Sequence, residues 1–198
     1  MASQEEIQAH IERLRRDKTV ALEQVTLLHQ WLDRKRSSRQ CGRVTGESRT
    51  GKTKACKAYI QLHGQPIISG RTPIVPVGYV YPKPDCTSRE FYRAVLDYYN
   101  FDLPKGTVGD VASKTLEVIQ ASKTEILIVD EADRLKPNTL RDVRDIFDKL
   151  RIAVILVGTP KRLDRAIRDD EQIEYRFMPR YRVGTISSKE LEKVVAVW

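Results

Sequence analysis

Short apolar runs alternate along the chain with stretches in which apolar residues recur every three or four positions. Residues 125–130 (EILIVD) and 152–158 (IAVILVG) are continuous apolar runs, a pattern typical of strands that are buried on both faces of a sheet. The stretches between such runs have helical periodicity. This alternation predicts an α/β protein with a parallel five-stranded sheet covered by helices on both faces. The predicted strands are 41–46, 74–82, 125–130, 152–158 and 181–186, and the predicted helices are 22–36, 51–62, 87–99, 107–121, 137–150 and 160–169.

The same pattern divides the chain into three regions. Residues 1–38 are helical in pattern, with a short amphipathic helix predicted at 3–16, and residues 39–186 contain all the predicted strands. Residues 187–198 open one more helix, and the chain ends inside it although its valines need an apolar partner. We therefore expect that the sequence is a fragment.

Local signals mark several element boundaries. Thr87 and Glu90 have the spacing of a capping box, and Thr107 stands where it can cap the following helix. Pro76 and Gly78 lie within the second predicted strand and favour a position at the edge of the sheet.

The loop after the first predicted strand carries the strongest chemical signal. Residues 46–53 read GESRTGKT and match G-x-x-x-x-G-K-[ST], the P-loop or Walker A motif, at every fixed position. Its glycines let the backbone wrap around phosphates, which backbone N–H groups and the N-terminus of the next helix attract. We expect Lys52 to reach the β- and γ-phosphates and Thr53 to ligate Mg²⁺. The expected ATP contacts are Gly46, Glu47, Ser48, Arg49, Thr50, Gly51, Lys52 and Thr53.

The apolar run at 126–129 delivers two carboxylates, Asp130 and Glu131, to the end of its strand. Ligands of open α/β sheets bind at this carboxyl end. We expect Asp130 to hold Mg²⁺, as the Walker B aspartate does, and Glu131 to polarise the attacking water. Together with the P-loop, these residues predict an ATPase that converts ATP and water to ADP and phosphate, with ATP and Mg²⁺ as its ligands.

Residues 130–133 read DEAD, a box that also occurs in RNA helicases. A helicase needs a second motor domain with its own arginines, for which 198 residues leave no room, and no S-A-T sequence follows the box. The sequence therefore does not favour a helicase.

The charge of the chain points to a class of partner. There are 35 Lys and Arg against 27 Asp and Glu, a net charge of +8, and residues 1–60 carry net +6 of it (13 basic and 7 acidic side chains). A basic balance favours a polyanionic partner such as nucleic acid. A solvated helix end explains the densest stretch, RKRSSR at 34–39, equally well.

Composition also excludes several classes of protein. The three cysteines are far apart and odd in number, and they match no zinc spacing. No apolar stretch reaches 18 residues, and the N-terminus has no apolar signal core. We therefore expect a cytoplasmic protein with no structural metal, no disulfide and no membrane partner.

Three stretches, GESRTGKT, ILIVDEADRL (126–135) and VILVGTPKRLD (154–164), together resemble the AAA+ ATPases that regulate transposition. The resemblance is to the TnsC/TniB type, especially the compact TnsC of CRISPR-associated transposons. It implies a P-loop NTPase core of the AAA+ kind at 39–186, preceded by an initiator-like helical segment. It also implies that 187–198 begins a helical lid that is otherwise missing, and that 19–22 lies near the adenine.

The resemblance implies a sensor residue. Thr159 ends the strand after the Walker B motif, where it resembles sensor 1 of AAA+ ATPases, a polar group that contacts the γ-phosphate or the attacking water. The residues alone leave another interpretation open, in which Thr159 only starts the turn before Pro160.

The resemblance also implies an arginine finger, which completes the ATP site of a neighbouring subunit. Arg176, in EYRF, is the first candidate, and Arg180 and Arg182 are reserves. A guanidinium suits this role because it can stabilise the γ-phosphate. In the alternative interpretation, Arg176 is a surface residue paired with Glu171 or Glu174.

The partners follow from the resemblance as well. Such proteins form helical filaments or rings on double-stranded DNA and link a TniQ-type target selector to a TnsB-type DDE transposase, and ATP hydrolysis releases the polymer. The matching DNA-backbone contacts here are Arg89, Lys105 and Thr107. Helix N-terminal turns suit phosphates, and backbone contacts imply little sequence preference. The implied location is the cytoplasm of a bacterium, in association with the nucleoid.

Two other functions remain open at this stage. One is a helicase loader or replication initiator, which preferential binding of single-stranded DNA would favour. The other is a P-loop signalling module whose basic patches serve protein contacts, which a lack of DNA affinity at low salt would favour. The DNA contacts also have an alternative interpretation, in which Thr107 is only a helix cap and Arg89 only a surface residue of the capping box.

Overall fold

A parallel sheet of five strands forms the centre of the computed structural model, which describes residues 22–68 and 73–197. Neighbouring strands pair in the order β2-β3-β4-β1-β5, and each pair is parallel. The predicted parallel α/β fold is therefore confirmed. The strands are β1 (Gly42–Thr45), β2 (Val77–Val80), β3 (Ile126–Val129), β4 (Ala153–Gly158) and β5 (Arg180–Arg182).

Helices pack on both faces of this sheet. In β3, Ile126 and Ile128 join the core on one face, and Leu127 and Val129 join the core on the other, because successive side chains of a strand point to opposite faces. No helix in the described part of the chain is long and apolar enough to cross a membrane. The α-helices of that part are α1 (Glu23–Ser38), α2 (Lys52–His63), α3 (Ser88–Tyr98), α4 (Val108–Ala121), α5 (Pro137–Leu150), α6 (Pro160–Arg168), α7 (Glu171–Arg176) and α8 (Ser188–Val197).

The two edge strands, β2 and β5, agree with the strands predicted from the hydrophobic pattern to different extents. β2 lies at one edge of the sheet, as Pro76 and Gly78 indicated. The strand predicted at 181–186 is instead Arg180–Arg182, which pairs with Arg43–Thr45 of β1. Its pairing ends there because β1 gives way to the P-loop after Thr45.

Two short elements escaped the sequence analysis. The first is α7, whose six residues are too few to show an apolar period, and which Asp170 caps by accepting the N–H groups of Gln172 and Ile173. The second is a 3₁₀ turn, Ala132–Arg134, which follows β3 directly. This turn lies beside the predicted catalytic carboxylates.

The predicted helix starts are accurate where they can be compared. Thr87 caps α3 in a capping box with Glu90, and Thr107 caps α4 in a capping box with Asp110. Leu22 is buried and precedes α1. The helix predicted at 3–16 and the rest of the predicted adenine segment lie outside the described residues.

Candidate nucleotide-binding site

Three loops meet at one edge of the sheet because their strands are parallel. The P-loop, residues 46–53, follows β1, while Asp130 and Glu131 follow β3 and Thr159 follows β4, which lies between them. Since the carboxyl ends of parallel strands share an edge, the predicted nucleotide-binding and catalytic residues of these loops lie together. Burial first, and then the charge of Asp130, raises the pKa of the Cys56 thiol on α2, while the charge of Lys52 acts to lower that pKa.

The P-loop backbone is tightly bent. Gly51 has a φ of 85°, in the left-handed region that glycine adopts without strain. The hydroxyl of Thr50 donates to the carbonyl oxygen of Glu47 at 2.9 Å and so ties the loop to itself. Gly46 has no room for a side chain, since a Cβ there would lie 2.7 Å from the carbonyl oxygen of Val183. A bent loop that leads into a helix N-terminus is an arrangement that binds phosphate.

Lys52 is the buried cation of this loop, with 8% of its surface exposed. Its Nζ donates to the carbonyl oxygens of Gly46 at 2.8 Å and Glu47 at 2.7 Å. A buried ammonium requires such oxygen partners, and they hold its charge inside the loop. The side chains of Ser48 and Arg49 are exposed. The loop therefore offers an anion a positive charge that is already in place.

Asp130 is the buried carboxylate of the site, with 1% of its surface exposed. It accepts hydrogen bonds from the hydroxyl of Tyr79 at 2.9 Å and from the N–H of Glu131 at 2.9 Å. Burial first, and then the Asp130 charge, raise the pKa of Tyr79, so its phenol stays a donor. Both donors are neutral groups, which leaves the negative charge of Asp130 to attract a cation.

A P-loop fold implies a bound Mg²⁺, and the side-chain oxygens of Asp130 and Thr53 at this edge of the sheet are of the type that Mg²⁺ binds. Asp130 supplies a carboxylate and Thr53, half-buried in the first turn of α2, supplies a hydroxyl. Both are the hard oxygen ligands that Mg²⁺ takes alongside substrate phosphates. When bound, the ion would neutralise phosphate charge during hydrolysis.

Glu131 follows Asp130 at the beginning of the 3₁₀ turn. Its backbone is left-handed, with a φ of 50°, which is unusual for a residue with a side chain. Its Oε2 lies 3.2 Å from Nε of Arg134, three residues further along the chain. The predicted catalytic base is thus held in an ion pair within its own turn.

Thr159 is held against the same turn. Its hydroxyl makes no capping bond to α6 and instead donates to Oδ2 of Asp133 at 3.4 Å. Gly158 permits this approach, because a Cβ at that position would lie 2.7 Å from Oδ1 of Asp133. This hydrogen bond joins the end of β4 to the segment that carries Glu131.

Arg176 lies at the other end of β1 from the P-loop. It lines a groove of about 480 Å³ with Cys41, the residue before β1. Its Nε donates to Oδ1 of Asp148 at 2.8 Å, and this hydrogen bond raises the pKa of the guanidinium. The alternative interpretation paired Arg176 with Glu171 or Glu174, whereas its carboxylate partner in the structure is Asp148 of α5.

The reserve arginines lie on the edge strand β5. Arg180 pairs with Asp164 of α6, at 3.5 Å between Nη2 and Oδ2, while Arg182 is exposed. Asp164 also pairs with the buried Arg43 of β1, at 3.3 Å. These contacts link β1, β5 and α6.

The three predicted DNA contacts lie on two neighbouring helix starts. Nη1 of Arg89 in α3 donates to the carbonyl oxygen of Gly106 at 2.9 Å, which brings the start of α3 next to Lys105 and Thr107. Lys105 is exposed. The hydroxyl of Thr107 donates to Oδ2 of Asp110 at 2.8 Å and accepts the N–H of the same residue. The structure thus brings these three residues to one surface, with Thr107 engaged as a cap.

Sequence reasoning missed three side chains that build the site. Tyr79 reaches Asp130 only because the parallel register sets Val80 against Val129, which a linear pattern does not reveal. Asp133 and Arg134 follow the two predicted carboxylates after a single residue, Ala132. Their charges, in a turn at the carboxyl end of the buried strand β3, were the signal in the sequence that could have identified them.

The motifs and this geometry can be compared with known proteins. A family model described as bacterial TniB protein matches residues 10–183. The chain belongs to the TniB family. The resemblance inferred from its motifs is therefore confirmed at the level of the family.

A curated protein is related to this chain at low sequence identity. General secretion pathway protein A of Aeromonas hydrophila is 25% identical over 164 residues, which cover 77% of this chain and 28% of that protein. The chain thus corresponds to less than a third of this relative.

Solved structures with similar folds include origin recognition proteins. The ORC2 protein of Aeropyrum pernix in its ADP form has a TM-score of 0.66 at 15% identity, and the match covers 88% of this chain and 50% of the ORC2 chain. The structure of Drosophila ORC bound to DNA has a TM-score of 0.58 at 15% identity, and the match covers 99% of this chain and 52% of the ORC chain. The Pif1 helicase of Candida albicans has a TM-score of 0.52 at 14% identity, and the match covers 90% of this chain and 43% of the helicase chain. The chain spans about half the length of these structures. Together with the family match, the likeness to the ORC structures identifies its fold as that of AAA+ P-loop ATPases.

Proposed function

We propose that this chain is an ATP-dependent, DNA-binding regulator of transposition whose ATPase cycle is a slow switch. The observation that carries the proposal is the meeting of Lys52, Asp130, Glu131 and Thr159 at one edge of an AAA+ sheet. Membership of the TniB family supports the assignment to transposition. The finer assignment, to the TnsC-like regulators of CRISPR-associated transposons, rests on the motifs alone.

Each group at the edge has a defined task in this proposal. Lys52, already fixed inside the P-loop, binds the β- and γ-phosphates and offsets their charge. Glu131 accepts the proton of the attacking water, whose oxygen forms a bond to the γ-phosphorus while the bond to the β-phosphate oxygen breaks. Thr159, held by Asp133, orients the water or the γ-phosphate.

DNA binding is proposed for the surface formed by Arg89, Lys105 and Thr107, which we call the α3/α4 surface. The hydrogen bond from Arg89 to Gly106 keeps its guanidinium beside the exposed Lys105. Two cations at the N-terminal ends of two helices suit the phosphate backbone, whose contacts carry no base information. The likeness to Drosophila ORC bound to DNA is consistent with a nucleic-acid partner.

Assembly is proposed to complete the ATP site. Arg176 of one subunit would act as a finger in the nucleotide site of the next, since it lies at the end of β1 away from its own P-loop. To do so it must exchange the Asp148 carboxylate for a γ-phosphate. A polymer on double-stranded DNA would then present this surface to a TniQ-type target selector and a TnsB-type transposase.

The test is electron microscopy of the chain with double-stranded DNA and Mg²⁺. Three samples contain a slowly hydrolysed ATP analogue, ADP or no nucleotide. We expect ordered rings or filaments with the analogue alone, and their loss in Lys52→Ala. The exposed Lys57 of the same helix provides the matched control, since Lys57→Ala should assemble as the unaltered chain does.

Other outcomes would overturn parts of the proposal. Assembly that is equal in all three samples would contradict the ATP switch. Naked DNA in all three, together with no DNA affinity at low salt, would contradict the DNA assignment and favour a P-loop module for protein contacts.

A second candidate, a helicase loader or replication initiator, is favoured by the likeness to the ORC2 protein. It predicts preference for single-stranded DNA or for a replicative helicase. A competition between labelled double-stranded and unlabelled single-stranded oligonucleotides separates the two candidates, because a transposition regulator should retain the duplex.

A further inference from the structure

Tyr79 lies in β2 and reaches across to the buried carboxylate that follows β3. The parallel register sets Tyr79 opposite Ile128, and Asp130 follows Ile128 by two residues, which continues the same face of the strand. The backbones are joined at the same place, because the N–H of Asp130 donates to the carbonyl oxygen of Val80 at 2.9 Å. The strand pairing therefore fixes where the phenol of Tyr79 lies relative to Asp130.

The carboxylate of Asp130 is held at both of its oxygen atoms. Oδ1 accepts the N–H of Glu131 and Oδ2 accepts the hydroxyl of Tyr79, each at 2.9 Å. Two hydrogen bonds on different oxygens resist rotation of the carboxylate about its bond to Cβ, whereas one bond leaves it more freedom to turn. An ionised carboxylate has about four lone-pair positions, so both oxygens keep room for a further partner.

The ring of Tyr79 is itself supported by the helix that follows the P-loop. It packs against the core cluster that includes Cys56 and Tyr59 of α2. The first turn of the same helix carries Thr53, the other predicted ligand of Mg²⁺. Tyr79 thus relates the position of the Asp130 carboxylate to that of α2.

The two hydrogen bonds do not neutralise Asp130, which is 1% exposed. Both donors are neutral groups, and Lys52 donates to carbonyl oxygens of its own loop. A buried carboxylate that keeps its charge needs a cation as a partner. The hydrogen bonds therefore orient the carboxylate for a cation and do not take the place of one.

We propose that Tyr79 is a positioning residue, which orients the Asp130 carboxylate for Mg²⁺ and so favours Mg²⁺ over Ca²⁺ in the nucleotide site. The inference rests on the proposed ATP-dependent function and names a residue that sets its metal preference. Mg²⁺ requires nearly ideal octahedral geometry, whereas Ca²⁺ accepts flexible arrangements. A carboxylate with more freedom to turn should therefore bind Mg²⁺ less well, with a smaller loss for Ca²⁺.

The experiment measures binding of a fluorescent, slowly hydrolysed ATP analogue to the full chain while Mg²⁺ or Ca²⁺ is titrated. Tyr79→Phe removes the hydroxyl and keeps the ring. It should raise the Mg²⁺ concentration for half-maximal binding about 10- to 100-fold, the range for loss of a group that holds a metal ligand, and raise the Ca²⁺ concentration less. Binding in EDTA should be equal in the two chains, because the P-loop is untouched.

Tyr98→Phe is the matched control. Tyr98 is also half-buried, and its hydroxyl donates to the carbonyl oxygen of Val77, in the same strand as Tyr79, at 3.0 Å. This variant should leave both metal concentrations unchanged. In an Asp130→Asn background, Tyr79→Phe should not change the Mg²⁺ concentration further, because no carboxylate is left to orient.

The ratio of the two metal concentrations guards against an effect of folding alone. Both titrations use one preparation of each variant, well below its melting temperature. A partly unfolded fraction affects the Mg²⁺ and Ca²⁺ titrations alike, so it cancels in their ratio. A change in the ratio therefore reports the metal preference and not the stability of the variant.

An unchanged ratio in Tyr79→Phe, or the same change in Tyr98→Phe, overturns the positioning role. A shift that persists in the Asp130→Asn background overturns it as well. If the unaltered chain binds the analogue with Mg²⁺ and hydrolyses no ATP, the ATPase proposal fails, while the positioning role stands on the binding data. If the unaltered chain binds no nucleotide, both proposals fail.

Discussion

The nucleotide edge and the α3/α4 surface are built in different ways. At the nucleotide edge, Lys52 and Asp130 are buried, and Thr159 bonds to Asp133 across 26 positions of the chain. On the α3/α4 surface, Thr107 bonds to Asp110 in its own first turn, and Lys105 is exposed. The first region has its geometry fixed by the folded chain. The second has a local geometry, and only a second molecule can give it a function.

This difference predicts a gradient of mutational effects. Single changes at the nucleotide edge should strongly impair one step each, because no other side chain there can take over the role of the one removed. Single changes on the α3/α4 surface should weaken binding gradually, because phosphate contacts are numerous and individually small.

The largest effect is expected for Glu131→Gln. The amide cannot accept a proton from water, so hydrolysis should fall by at least about 100-fold, the lower range for loss of a general base. ATP binding should persist, and DNA-bound assemblies should live longer. Phosphate release and filament lifetime measure the two effects, and an unchanged lifetime beside a reduced rate would contradict the switch.

Lys52→Ala should have the next largest effect. Loss of charged hydrogen bonds to phosphate should weaken ATP binding about 10- to 150-fold. Titration with a fluorescent ATP analogue measures the affinity, and Lys57→Ala on the exposed face of α2 should leave it unchanged. Equal losses in both variants would mean that general charge, rather than the P-loop contact, governs binding.

Gly46→Ala tests the shape of the loop without changing its charge. The new Cβ would lie 2.7 Å from the carbonyl oxygen of Val183, and the strain should lower the free energy of unfolding by about 1–3 kcal/mol. Gly184→Ala is the control, because a Cβ there meets no atom within 4 Å. Thermal or urea unfolding compares the two, and equal stability would show that the loop can relax.

The smallest single effects are expected on the α3/α4 surface. Arg89→Ala and Lys105→Ala should each weaken DNA binding a few-fold and lower the slope of log K against log salt by about 0.9. Lys114→Ala on α4 removes a charge that pairs with Glu117 and should leave the slope unaltered. Fluorescence anisotropy at several salt concentrations measures these slopes, and three identical slopes would exclude this surface as the DNA contact.

Much of the nucleotide edge was predictable because its residues are close in sequence. The P-loop lies within eight consecutive positions, and Asp130 and Glu131 adjoin a continuous apolar strand. Local spacing and strand burial were enough to assign them. The helix caps at Thr87 and Thr107 were predictable for the same reason, since a cap acts within one turn.

Contacts between distant segments were not predictable. The hydrogen bond of Tyr79 to Asp130 spans 51 positions, and that of Arg176 to Asp148 spans 28. Each depends on which strands and helices become neighbours. The helix α7, which ends at Arg176, was not predictable either, because six residues are too few to show an apolar periodicity.

The sequence by itself determined the parallel α/β fold, the P-loop and the strand that ends in two carboxylates, because hydrophobic period and local spacing specify them. The tertiary structure alone decided that β4 lies between β1 and β3, which brings Thr159 between the P-loop and Glu131. It also decided that Glu131 pairs with Arg134 toward β2. Strand order is a global choice, made by packing the whole core, and no local stretch of residues contains it.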